Sequence, residues 1–342
     1  MSAQEFEDGV AAANVLPGPM STQLAIFCAW RLRGPVGGLV GGLCFILPGL
    51  VLILALASVI LGPHPPAWIM GAAVGASAAV PAVALKAAVD LVPASRRRAG
   101  PKRTQAVCWV LYVILGATAT IAVGRYLVVV LVLCGLTEVA IRSQRGPTGG
   151  PASVLLPAIA GHGLVLGGLG ALLWVALKVG ALSYGGGFVI IPLMQHDVVT
   201  TYHWMTGGQF LNAVALGQVT PGPLVQTVAV VGYAARGVGG GLLAATVAFA
   251  PSFLFVLFGA PRFDQIRRNG SVQSFLAGAG PAAVGAIAGS AVALGLTFQH
   301  LWQIPVLGGA LLWLLAVRRG VVGGIVLAGL AGVALWSIGV PT

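Results

Sequence analysis

Two short stretches combine helix breakers with polar side chains: "NVLPGPMSTQ" at 14–23 and "QVTPGPLVQT" at 218–227. Proline lacks a backbone N–H and crowds the preceding turn. Glycine lets the chain turn without a side-chain clash. A helix restarting after such a break points unpaired N–H groups and the positive end of its dipole forward. Anions bind there without needing a full positive charge. In the first stretch the restarted helix carries Ser21 and Thr22 behind Gly18, and in the second Gln226 and Thr227 behind Gly222. Asn14 and Gln218 hold matching places on the incoming helices, and Thr220 lies between Gln218 and the second break. One such break alone reads as a packing kink. Two, each flanked by an amide and hydroxyls, predict a dipole-positive site for a small tetrahedral oxyanion.

A dianion also needs real charge, and Lys178 is the residue placed to supply it. It stands in the middle of the apolar run "LLWVALKVGALSYGGG", too far from either end to reach water easily. A lone ammonium there costs several kcal/mol unless it is paired or wet. Ser183, Gly185, Gly186 and Gly187 follow it and offer close backbone approach, or simply helix packing. Arg33 and Arg236 end the two restarted helices and are read as helix caps or anion gates. Lys86 with Asp90, and Glu138 with Arg142, are spaced to pair with each other. His196, Asp197 and His203 read as a solvated stretch at the membrane surface. The seven acidic residues form no catalytic cluster, and HExxH and GxSxG are absent. No enzyme, resident metal or cofactor is therefore expected.

The elements around these residues are those of a membrane protein. The chain is 58% hydrophobic and only 7% charged, against roughly 25% charged in soluble domains. Apolar runs long enough to cross a hydrocarbon core of ~30 Å fall near 36–61, 67–92, 104–122, 126–141, 165–183, 238–258, 272–297, 304–317 and 321–339. The pairs 5–16 with 18–30 and 209–220 with 222–235 are shorter and read as broken, re-entrant hairpins. The net charge of +11 sits in short inter-span loops, which suits positive-inside bias and argues against a nucleic-acid partner. Cys28, Cys44, Cys108 and Cys134 lie in apolar segments without a CxxC pair, so neither disulfide nor zinc site is expected. The expected partners are the oxyanion and the bilayer. A second copy of the chain is left open.

The two halves are copies. "FEDGVAAANVLPGP" (6–19) and "FLNAVALGQVTPGP" (210–223) share seven of 14 positions at an offset of 204. "RGPVGGL" (33–39) matches "RGVGGGL" (236–242), and Pro48 matches Pro251. The loop 93–103 carries five basic residues and its counterpart 298–303 none; 261–270 carries three arginines and its counterpart 62–66 none. Equivalent loops thus favour opposite sides, which predicts an inverted-topology repeat. The division is a first repeat at 1–142, a Gly/Pro-rich linker at 143–164 and a second repeat at 165–342. Met1 aligns with Met205, so the first repeat is expected to lack the span that 171–204 supplies to the second.

The segments "LKVGALSYGGGFVIIPLMQHDVV", "ALGQVTPGPLVQTVAVVGY" and "AAANVLPGPMSTQLAIF" resemble the chromate ion transporter family in its long, two-halved form. The resemblance spans roughly 1–92 and 165–339. It implies a multi-pass carrier of the bacterial inner membrane that exports chromate, a sulfate analogue, using the proton-motive force or membrane potential. The family's Lys-x-Gly element falls on Lys178 and Gly180, its FGGG element on Tyr184 to Gly187, and its Gln-x-x-Pro-Gly-Pro element on Gln218 and 221–223. In the first half that element falls on Asn14 and 17–19. Other readings are a carrier of another, sulfate-like oxyanion, a non-transporting partner subunit, and a membrane-bound transferase.

Overall fold

Glycine sets the first feature of the architecture, a long helix that doubles back. Helix α1 (Met20–Ile60) breaks at Arg33 (φ −140°, ψ 23°) and Gly34 (φ 63°, ψ −157°). Helix α9 (Thr227–Gly259) breaks at Arg236 (φ −151°, ψ 31°) and Gly237 (φ 62°, ψ −158°). That second conformation is open essentially to glycine alone. Pro35 follows the first break but Val238 follows the second, so glycine makes the kink. Across it the arms lie side by side: a Cβ on Gly41 would stand 2.3 Å from the Cβ of Ala29. The arm 20–32 is about 20 Å long at 1.5 Å per residue, short of a bilayer core.

The computed structural model describes residues 18–122, 126–143, 168–183, 188–259 and 269–340. Asn14 and Gly185 to Gly187 lie outside the described residues, as does most of the linker. Between the doubled helices run α2 (Ala67–Ala78), α3 (Val80–Ala99), α4 (Arg103–Ala122), α5 (Leu127–Ser143) and α6 (Leu169–Leu182). Next come α7 (Ile190–Gln195), continued as a π-helix over His196–Thr201, and α8 (Gly207–Val219). After α9 follow α10 (Gly270–Gly295), α11 (Gln303–Leu311) with a π-helical end Leu312–Ala316, and α12 (Val321–Ser337). The protein is an all-α polytopic membrane protein, with five helical stretches among the described residues long and apolar enough to cross a membrane. Local signals set the starts. Thr206 and Gln209 form a capping box on α8, and the Asn269 side chain accepts from Ser271 and Val272 at the head of α10.

The halves exchange helices. The last helix of the second half, α12, packs on α2, while the last helix of the first, α5, packs on α10. Equivalent glycines make the two contacts: a Cβ on Gly75 would lie 2.3 Å from the Ala328 carbonyl, and one on Gly278 2.2 Å from that of Cys134. Small residues allow this backbone approach, and packing is the main force between helices in lipid. Gly75→Ala and Gly278→Ala should therefore each destabilise the protein by about 1–3 kcal/mol. Gly308→Ala, which meets nothing within 4 Å, should leave melting unchanged. Equal melting of all three would show that the close approaches carry no stability.

The segment 188–201 departs from expectation. The expected solvated stretch was His196, Asp197 and His203: His203 is exposed, but Asp197 is mostly covered, and the neighbouring Ile190, Ile191, Met194 and Val198 are buried among α6, α8 and α9. Asp197 follows a turn of apolar residues, and that turn draws it inside. The pairs read from i,i+4 spacing do form: Lys86 with Asp90, and Arg142 Nε donating to Glu138 at 2.7 Å. Tyr112 also donates to Glu138 (3.2 Å), and Arg142 donates to the Ala99 carbonyl at the end of α3 (3.0 Å).

Candidate functional site

From the glycine onward, both Pro-Gly-Pro elements take the same backbone path. Gly18 has φ 126° and Gly222 φ 133°, each followed by an extended proline, Pro19 (ψ 111°) and Pro223 (ψ 136°). Neither proline caps the restart with a side chain.

Each break docks on the long helix of the other copy, just past its internal proline. A Cβ on Gly18 would lie 3.0 Å from Ser252 Oγ, beside Pro251. One on Gly49, beside Pro48, would lie 2.1 Å from the Pro221 carbonyl. Gln226 Nε2 donates to the Ile46 carbonyl at 2.8 Å. The Gly18 N–H donates to the Ser183 carbonyl at 2.7 Å, tying the first break to the end of α6. Gly180 brings α6 onto α9, where a Cβ would meet the Ala248 carbonyl at 2.0 Å.

Several buried polar side chains on and beside these elements keep unused hydrogen-bonding capacity. Thr22, Ser183, Gln226 and Ser252 are each fully buried. Among the described residues, Thr22 Oγ1, Ser183 Oγ, Ser252 Oγ, Gln226 Oε1, Gln218 Nε2 and Asn212 Oδ1 have no hydrogen-bond partner. A buried unmet polar atom costs about 1–3 kcal/mol, so these atoms are candidate contacts for a polar guest. The hydroxyls and the Gln218 amide can donate, which an oxyanion requires.

The sequence candidates divide on this geometry. Gly18 meets Ser183 and Ser252, Gln226 meets Ile46 and Gly49, Thr22 is fully buried, and Gln218 has a buried amide nitrogen. Thr220 and Thr227 are buried, but their hydroxyls donate to the Leu216 and Leu224 carbonyls of their own turns. Ser21 and Gly222 are exposed. Arg33 and Arg236 stand exposed at the kinks themselves. Ser252 was missed, although the aligned Pro48 and Pro251 pointed to its neighbourhood.

Lys178 is buried, but it is not alone. Its ammonium pairs with the carboxylate of Asp197, and the two side chains are 9% and 13% exposed. This corrects the placement of Asp197 on a solvated face: α7 turns back beside α6, and the π-helical turn carries Asp197 to the lysine. Nearby Tyr202 stacks on Trp204 at 4.8 Å. Burial, and then the Asp197 charge, push its phenol up from the ordinary value, so it stays neutral.

Long apolar helices, two of them kinked at an Arg-Gly step, define a polytopic membrane protein in class. The chain belongs to the chromate transporter family, whose model matches it twice, over 1–139 and 170–335. It is 30% identical to a chromate transport protein of Cupriavidus metallidurans, over 85% of this chain and 72% of that one. It is 31% identical to the chromate transport protein of Pseudomonas aeruginosa, over 97% and 83%. No solved structure matches it.

Proposed function

We propose that the chain is a secondary transporter that exports chromate across the bacterial inner membrane. The two halves work as an inverted repeat. The anion sits between the restarted helices and takes hydrogen bonds from Thr22, Ser183, Gln218 and Ser252. The observation that carries this reading is the set of buried polar atoms without partners, next to two uncapped helix starts. Lys178 adds charge, with Asp197 holding it between transport events in place of the anion. Asn14 and Gly185 to Gly187 complete the site on the strength of the repeat and the family motif. The names of the relatives support chromate over other tetrahedral oxyanions.

Chromate uptake into inverted vesicles tests the proposal. Vesicles with the protein should accumulate chromate above empty ones, and sulfate should compete. Gln218→Ala should weaken apparent affinity about 10- to 100-fold, since a hydrogen bond to a charged group contributes ~1.5–3 kcal/mol. Uptake no greater than in empty vesicles would sink the reading, and a phosphate-containing lipid product would point to a transferase instead.

A further inference from the structure

We infer that the turn between α11 and α12 and the face of α3 beside it form a binding site for the phosphodiester headgroup of an anionic phospholipid. A cavity of about 450 Å³ opens there, lined by Lys86 and Asp90 of α3 and by Arg318 and Arg319 of the turn. Its remaining wall is apolar and includes Leu314 and Val321. Lys86 and Asp90 neutralise each other. The two arginines form no ion pair among the described residues. The cavity is therefore left with two positive charges over an apolar wall, which fits a headgroup phosphate continued by acyl chain.

The turn is built rather than loose. Arg318 takes a left-handed backbone conformation, φ 54°, uncommon for a side chain of its kind. The Arg319 N–H donates to the Trp313 carbonyl, and Trp313 Nε1 donates to the Gly320 carbonyl, both at 3.2 Å. One tryptophan thus pins both ends of the arginine pair, and tryptophan is at home at the level of lipid headgroups. Helix α12 starts at Val321 without a side-chain cap, which adds a little positive potential.

The depth agrees. Asp90 stands about 10 Å along α3 before Arg97, at 1.5 Å per residue. The basic end of α3 therefore projects past the cavity toward water, and the cavity lies where headgroups lie. Basic pockets between helices on the cytoplasmic side are the recognised place for acidic headgroups. None of the residues with buried unpartnered polar atoms lines this cavity, so the inference stands apart from the transported ion.

The experiment uses the full chain in neutral detergent, with thermal melting and lipid titration as readouts. Phosphatidylglycerol should raise the melting temperature of the unmodified protein, whereas phosphatidylcholine, inorganic phosphate and chromate should not reproduce the shift. In Arg318→Gln/Arg319→Gln the affinity for phosphatidylglycerol should fall about 10- to 30-fold, at roughly 1 kcal/mol per basic residue near the surface. Arg97→Gln/Lys102→Gln removes the same charge at exposed positions beyond the cavity and should keep the affinity. Melting of both doubles in phosphatidylcholine alone reports whether either is misfolded. Equal losses in the two doubles, or no loss in either, would overturn the site by showing diffuse attraction only. Full replacement of the lipid by inorganic phosphate or chromate would overturn it in favour of a small-anion vestibule.

Discussion

Lys178→Ala should lower the stability of the folded protein by about 3–5 kcal/mol and abolish transport. In the sequence Lys178 stands in an apolar run with no partner within a helical turn. The structure supplies one: Asp197 pairs with it inside the protein, both side chains nearly sealed from solvent. Removing one member of a buried pair strands the other charge, which is the source of the large loss. Removing both does not, since an apolar replacement of a buried pair is often neutral. Lys178→Ala/Asp197→Ala should therefore melt close to the unmodified protein, yet still fail to move chromate. That combination separates the fold from the site. Lys178→Arg should keep part of both properties, because charge survives while the donor geometry changes. Melting in detergent and uptake in vesicles, measured on all variants, decide it. A double variant that transports normally would remove Lys178 from the site. A single variant that melts normally would mean that the pair contributes little.

The sequence revealed features whose causes are local. Two prolines around one glycine stop a helix where the single prolines Pro48, Pro251 and Pro281 do not, so the break at 221–223 could be read directly. Apolar runs announce spans because lipid demands them. The Lys86–Asp90 and Glu138–Arg142 pairs follow from one helical turn of spacing. What stayed hidden depends on the chain returning to itself. Lys178 and Asp197 are 19 residues apart and meet only because α7 folds back beside α6. Ser252 sits in "AFAPSFLF" and looks like a stray hydroxyl in an apolar run. Only the docking of the first break against Pro251 gives it a role. Thr220 and Thr227 differ from the other candidates: their types suit an anion, and each donates to the carbonyl of its own turn. Residue type alone does not distinguish a hydroxyl facing a ligand from one bonded to its helix.

Gly49→Ala should reduce transport at least about 100-fold, a larger effect than removing any single candidate hydroxyl. Gly49 and Ser252 are equivalent positions, each following the internal proline of its copy, yet they face the opposite breaks differently. Beside Ser252 there is room for a side chain, with Gly18 opposite. Beside Gly49 there is none: a Cβ would stand 2.1 Å from the Pro221 carbonyl and 2.5 Å from Gln226 Oε1. The first of these atoms is backbone, so the whole second break would have to retreat by more than ~1 Å, from 2.1 Å to the 3.4 Å of an ordinary contact. The start of α9 would go with it, and misplacement of that size is enough to cost about 100-fold where geometry positions a guest. Stability should fall too, by the ~1–3 kcal/mol typical of overpacking. Ser252→Gly should behave oppositely, keeping its melting temperature while apparent affinity for chromate weakens about tenfold, as one lost donor to a charged guest predicts. Exchanging the two residues, Gly49→Ser/Ser252→Gly, should not rescue transport, because the clash with Pro221 remains. If Gly49→Ala carries chromate at the normal rate, the second break does not hold the anion, and the site belongs to the first break and Ser183 alone.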